Sequence, residues 1–267
     1  MDIEILMNTY GTYVYNYALK LSCHPSVAED LTQETFIIAW QKISTLEDSN
    51  AIKAWLRKIC FNNFLMRERK NKNHSELLYD DIQLLEKEGL LFRDTHPKPE
   101  DEVIVEEAIR ELQNGCFLAM VRRLTLHQRI AFSLVDMFGL SLDEVSKIID
   151  ISKSATKGLL YRAHMNLDSF FHNHCNLLNL NNPCSCKAWI EFSKTRDDLQ
   201  KNSNKHKLIS TLDYTESNYT FNAEIRGKIN FLYKNMPDRK PSKEWYQEVI
   251  NIVNKRYVDT NYAHKIK

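Results

Sequence analysis

The chain has 267 residues, 36 Lys and Arg against 35 Asp and Glu, and 43% hydrophobic residues. That length suits one to three domains of about 150 residues, and the hydrophobic content excludes global disorder. Six glycines and six prolines exclude a collagen-like chain and point away from a turn-dense β-sandwich toward helices.

The N-terminus, MDIEIL, lacks the basic and apolar regions of a secretory signal. No apolar run approaches the roughly 18 residues of a membrane span. The six cysteines are Cys23, Cys60, Cys116, Cys175, Cys184 and Cys186. The first three are scattered singly and read as small buried hydrophobes. A reduced, cytoplasmic compartment is expected, with no membrane partner.

The first predicted helix runs from about 9 to 21, with Tyr10, Tyr13, Tyr17 and Leu21 at helical spacing. His24-Pro25 breaks it. Ser26 is the expected N-cap of the next helix, with Glu29 closing a capping box. That helix, AEDLTQETFIIAW over 28–40, shows two apolar sides. Val27, Leu31 and Ile38 share one. Phe36, Ile37 and Trp40 share the other, beside Asp30 and Gln33. Two stripes imply either full burial or a second surface for a partner. A polar loop, 44–50, precedes a third helix from about 51 to 70. Residues 57–72 carry six basic groups (Arg57, Lys58, Arg67, Arg69, Lys70, Lys72) and one acid, Glu68, interleaved with Phe61 and Phe64. Basic groups neutralise phosphates and aromatics stack on unpaired bases. A charge run is usually only a solvated helix face, so by itself this signal is weak.

Residues 73–102 change character: from His74 to Glu102 there are nine acids, three Lys or Arg and two prolines. This is a linker composition. Three helical segments follow, at about 125–138, 141–149 and 153–170. Ser141 with Glu144 forms a capping box. Val145, Ile148 and Ile149 face inward. Asp150 occupies a tight turn, where a left-handed backbone is expected and Asp tolerates it better than most residues. Ile151 plugs the turn and Ser152 caps the next helix. That helix is predicted to expose Lys153, Ser154, Thr156, Lys157 and Tyr161, with Arg162 one turn on. The spacing is that of a helix-turn-helix, whose second helix meets base edges in the major groove. An ordinary helical hairpin is the alternative.

The order AEDLTQETFIIAW, AWLRKICFNN, RERK resembles region 2 of the sigma-70 family, in its extracytoplasmic-function branch. The stretch 124–167, with GLSLDEV and KGLLYRA, resembles region 4 of the same family. The resemblance implies a transcription initiation factor with no catalytic residues of its own. It implies core RNA polymerase as partner, through the β′ clamp helices and the β flap, and promoter DNA as ligand. Asp30, Gln33, Glu34, Phe36 and Trp40 would dock on polymerase. Asn62, Arg67, Arg69, Lys70 and Lys72, with the loop 44–50, would read the melted −10 strand. Lys153, Ser154, Thr156, Lys157, Tyr161 and Arg162 would read the −35 duplex. Met66 stands where many members carry Asp, so base preference there does not transfer. Leu159 stands where a basic residue is common, which lowers the phosphate charge available at −35. The alternative function is a stand-alone helix-turn-helix regulator with a metal- or thiol-sensing tail. An enzyme is not supported, because no phosphate loop, H-E-x-x-H or nucleophile elbow occurs.

The expected fold is all-α: region 2 over 1–72, an acidic linker over 73–102, region 4 over 103–171, and a mostly helical extension over 172–267. The extension opens with HNHCNLLNLNNPCSCKAW. Cys175, Cys184 and Cys186 with His172 or His174 could supply four zinc ligands. Plain thiols, or a strained Cys184–Cys186 redox pair, are the other readings. No cofactor is otherwise required. The extension carries 16 basic and 10 acidic residues over 187–267, with helical stretches near 187–202 and 242–257, and is expected to regulate the factor in cis or to bind a partner such as an anti-sigma factor. The near-neutral total charge is therefore a cancellation. Residues 73–119 hold 12 acids and 4 bases, opposite the basic tail.

Overall fold

The computed structural model describes residues 3–46, 48–70, 113–114, 116–176, 178–179, 181–182, 221–234, 236 and 238–252. Every regular element among them is helical. The chain divides into two compact units, one of residues 1–72 with 237–267, the other of residues 73–236.

In the first unit α1 is Ile3–Ser22, α2 Pro25–Gln41 and α3 Ile52–Lys70. Helix α1 starts earlier than the periodicity suggests, since Ile3, Leu6 and Met7 extend its apolar stripe into the core. Helix α2 begins at Pro25, with His24 as an extended N-cap that makes no side-chain cap bond. Ser26 is not the cap. Proline is favoured at the first helical position, where its missing N–H costs nothing, and this moves the cap from Ser26 to His24, two residues upstream. Ser26 Oγ instead meets His24 Nδ1 at 3.1 Å. Two short 3-10 turns, Ile43–Thr45 and Ser49–Ala51, carry the chain from α2 to α3.

One core joins the three helices. Ile3, Leu6, Met7, Val14, Phe36, Ile37, Ala39, Ile52 and Leu56 are buried together, and Val249 and Ile250 from the C-terminal extension complete the set. These two belong to a helix over residues 243–252, which lies antiparallel to α1. Asp238 pairs with Lys20 at 3.1 Å, Arg239 bonds Asn16, and Tyr246 reaches Thr12. At Gly11 a Cβ atom would fall 2.3 Å from Tyr246 Cε1. Glycine inside a helix costs about 0.5–1 kcal/mol relative to alanine. Here it makes room for that ring.

In the second unit a helix over 116–122 precedes α5 (Leu126–Phe132), which runs into a π-helical turn, Ser133–Met137. Counting 116–122 as α4, α6 is Leu142–Ile149 and α7 is Lys153–His174. Helix α8, Ala223–Lys234, comes from the extension. Phe117, Phe132, Phe171 and Tyr233 form an aromatic core. Ring centroids are 6.0 Å apart for Phe117–Phe132 and Phe117–Phe171, and 5.3 Å for Phe132–Tyr233. Packed rings at such separations add about 0.5–1.5 kcal/mol per pair beyond their buried area.

The extension is thus divided. Its described residues up to 236 belong to the second unit and those from 238 to the first. The expected helix near 187–202 lies outside the described residues.

Candidate nucleic-acid interfaces

The caps and the turn of the helix-turn-helix form as the sequence predicts. Ser141 Oγ accepts from Glu144 N at 3.2 Å, and the Glu144 carboxylate accepts from Ser141 N at 3.0 Å. Val145 is fully buried, and Ile148 and Ile149, expected to face inward with it, are half-buried. Asp150 takes the left-handed conformation, φ 55° and ψ 49°. The next amide, Ile151 N, donates back to Ser146 O at 3.1 Å, satisfying a carbonyl at the helix end. Ser152 then caps α7 by accepting from Ala155 N at 3.1 Å.

The first turns of α7 present Lys153, Ser154, Lys157 and Tyr161 as exposed side chains, with Arg162 half-buried. Tyr161 is 55% exposed. Lys153 Nζ lies 2.9 Å from Asp143. Thr156 departs from the expectation. It is fully buried, and its hydroxyl donates to Ser152 O at 3.1 Å. The reason is register: Thr156 stands seven residues, about two turns, before buried Ala163 and so shares the inner stripe. It positions the helix rather than facing a base edge.

In the first unit Asp30 and Glu34 are exposed on α2 and Gln33 is half-buried. Phe36 departs from the expectation. It is fully buried, so it is not part of an exposed docking face. Ala28, Leu31, Thr32, Thr35, Phe36, Ile37 and Ala39 make one broad buried arc, because α2 packs on α1 and α3 together. Val27 and Ile38, paired with Leu31 in the sequence reading, are only half-buried. Trp40 is half-buried against the core.

On α3, Asn62, Arg69 and Lys70 are exposed. Arg67 Nη1 donates to Asp30 Oδ2 at 2.9 Å. This pair ties a residue expected to dock on polymerase to one expected to read the −10 strand. A cleft of about 480 Å³ runs between the two helices, lined by Glu34, Ile37, Ile38, Asn63, Met66, Arg67 and Lys70. Asn63 was not anticipated. Its Nδ2 is buried with no hydrogen-bond partner among the described residues, and only helix pairing reveals that it lines the cleft. Lys72 lies outside the described residues. The loop after α2 is held by local bonds: Thr45 Oγ1 donates to Lys42 O at 2.7 Å, and Asn50 N to Asp48 Oδ1 at 2.8 Å.

Of the expected zinc ligands, half-buried His172 and buried Cys175 stand at the end of α7. Asn182 folds the chain back by donating to His172 O at 2.6 Å and Cys175 O at 3.0 Å. His174 stacks on Phe170 with centroids 4.9 Å apart. Cys184 and Cys186 lie outside the described residues. Among the described residues no group of three or more His, Cys, Asp or Glu is placed to hold a metal, and no helix is long and apolar enough to cross a membrane.

One unit holds a capped helix-turn-helix and the other a helical bundle whose α3 ends in Arg67, Arg69 and Lys70, the features of a DNA-binding protein. Comparison with known families gives the same division. Residues 6–74 match the sigma-70 region 2 model and residues 114–167 the sigma-70 region 4 model. The chain is 28% identical over 176 residues to the ECF RNA polymerase sigma factor SigM of Bacillus subtilis, covering 66% of this chain and 99% of that relative. It is 25% identical over 169 residues to the RNA polymerase sigma factor YlaC of the same organism, covering 62% of this chain and 90% of YlaC. It is also 30% identical over 159 residues to the ECF RNA polymerase sigma factor BldN of Streptomyces coelicolor, covering 59% of this chain and 56% of BldN. The chain belongs to the sigma-70 family, in its extracytoplasmic-function branch, and is a transcription initiation factor. A stand-alone helix-turn-helix regulator is not favoured, since region 2 would then have no role. Residues 168–267 lie outside both family matches.

Proposed function

We propose that this factor binds core RNA polymerase through the exposed side of α2 and directs it to promoters by reading two elements. Asp30, Gln33, Glu34 and Trp40 form the docking set, opposite the β′ clamp helices. Phe36 supports that face from within. The loop over 42–51 with Asn62, Arg67, Arg69 and Lys70, continued by Lys72, takes the melted −10 strand. Lys153, Ser154, Lys157, Tyr161 and Arg162 take the −35 duplex, and the same unit meets the β flap. The factor performs no chemistry itself, needs no cofactor for these steps and works in the cytoplasm. Its extension gives a partner such as an anti-sigma factor a further place to act.

The observation that carries this reading is the pairing of the two family regions in one chain, each with its charged residues outward. The Asp30–Arg67 pair is compatible with it. Its side chains are 56% and 33% exposed, and exposed ion pairs contribute only about 0–1 kcal/mol. Either member can therefore be taken over by a partner at little cost.

The test is capture of core polymerase by the purified full chain, followed by run-off transcription. Asp30→Ala and Trp40→Ala should weaken capture. Lys157→Ala should leave capture intact and weaken −35 duplex binding, with the salt dependence reduced by about one phosphate contact. Absence of any polymerase binding by the full chain would refute the proposal.

A further inference from the structure

The segment 238–252 lies beyond both family matches, yet the first unit contains a site shaped for it. Asn16 is 3% exposed and grips the backbone of Arg239 twice. Its Nδ2 donates to Arg239 O, and its Oδ1 accepts from Arg239 N, both at 2.9 Å. The Gly11 notch receives Tyr246, whose hydroxyl meets Thr12 Oγ1 at 3.2 Å. Trp245 lies edge-on to Tyr15 at 6.4 Å. Val249 and Ile250, at 1% and 6% exposure, enter the common core.

That core also carries the loop. Leu46 of the loop, with Trp40 on α2 and Trp55 on α3, packs against the same cluster as Trp245, Tyr246 and Ile252. Among the described residues the loop's bonds are local, such as its two short turns, the Thr45 Oγ1–Lys42 O bond and the Asp48 cap. Leu46 seats the loop on an apolar cluster to which Val249 and Ile250 also belong.

We propose that residues 238–252 are a cis-acting strap that positions the loop over 42–51, with Tyr246, Val249 and Ile250 as positioning residues. The loop's purpose, capture of −10 bases, rests on the function proposed above. The mechanical claim does not.

Amide hydrogen exchange on the full chain tests it. Wild type, Gly11→Ala, Tyr246→Ala, Tyr246→Phe and the Gly11→Ala/Tyr246→Ala double variant are compared. In Gly11→Ala the added methyl meets the Tyr246 ring, and protection should fall by at least about tenfold over both 243–252 and 42–51, while interior amides of α2 and α3 stay protected. Tyr246→Ala should do the same with α1 untouched, and so decides the matter if Gly11→Ala disturbs the whole unit. Tyr246→Phe should stay within about threefold of wild type, because the ring still fills the notch. The sign of Gly11→Ala should invert in the Tyr246→Ala background. There the notch is empty, and alanine is the better helix residue. Release of 243–252 with unchanged protection over 42–51 overturns the positioning role. Additive loss in the double variant overturns the notch contact. No polymerase enters the experiment, so failure of the initiation-factor reading would show separately, in the capture assay.

Discussion

Replacing Arg226 by Met should loosen the second unit in a pH-dependent way. Asp168 is 0% exposed, and its Oδ1 accepts from Arg226 Nη1 at 2.6 Å. Arg226 is further held by Asn230 Oδ1 at 2.9 Å and lies 5.9 Å from the Tyr233 ring. Methionine keeps the length of the side chain and removes the cation. Breaking a buried pair leaves an uncompensated charge, which costs about 3–5 kcal/mol. Burial already pushes the Asp168 carboxyl up to about 6, against the opposing pull of Arg226 and His164 and with help from Asp136. Its ordinary value is 3.8. The folded state therefore holds this proton more tightly than the unfolded chain. The resulting stabilisation is complete below about pH 4 and lost as pH rises to about 6. Two units at 1.36 kcal/mol each give about 3 kcal/mol. In Arg226→Met the lost cation raises the folded-state value further, so the window still begins near pH 4 and extends above pH 6. Opening free energies from hydrogen exchange over 163–171 and 225–233 give the measurement, with Asp168→Asn as the non-titrating reference. Wild type should fall relative to Asp168→Asn between pH 4 and 6. A flat or rising difference there, or a cost below about 1 kcal/mol for Arg226→Met at neutral pH, would refute the reasoning.

Asp150 tests the turn of the helix-turn-helix. Its φ of 55° suits glycine, so Asp150→Gly should be neutral or raise stability by up to about 1 kcal/mol, while Asp150→Val should cost about 1–2 kcal/mol. Thermal melts of the full chain read both. The zinc question is one of metal content. If His172, Cys175, Cys184 and Cys186 hold an ion, purified protein carries about one zinc per chain, and Cys184→Ser or Cys186→Ser removes it. Equal metal in wild type and variants excludes the site.

The helix-turn-helix was legible because each of its signals is local. Ser141, Glu144, Asp150 and Ser152 act on backbone groups a few residues away, so their pattern is written in consecutive sequence. The start of α2 was less legible, because Ser26 and Pro25 both signal a helix start and only the backbone shows that the proline takes the first position. Thr156 shares the inner stripe of buried Ala163, seven residues on, a register the periodicity carries, whereas the burial of Phe36 has another cause. Periodicity says which residues share a face. It does not say how wide an arc the neighbouring helices cover, and α2 is buried over an arc broader than one stripe. Asn63 went unnoticed because the cleft it lines exists only once α2 and α3 lie side by side.

The amino-acid sequence by itself determined the helical class, the acidic break between two helical regions, the capped turn that presents Lys157 and Tyr161, and the family to which those motifs belong. Each follows from composition or from interactions between near neighbours in the chain. Only the tertiary structure decided where the extension goes. Asn16 and Arg239 are 223 residues apart, and Asp168 and Arg226 are 58 apart. Neither pair leaves a local pattern, since a buried amide grip or ion pair depends on shape and desolvation at a contact that folding alone creates. The same holds for Gly11, an ordinary helix glycine in sequence and the notch for Tyr246 in the fold.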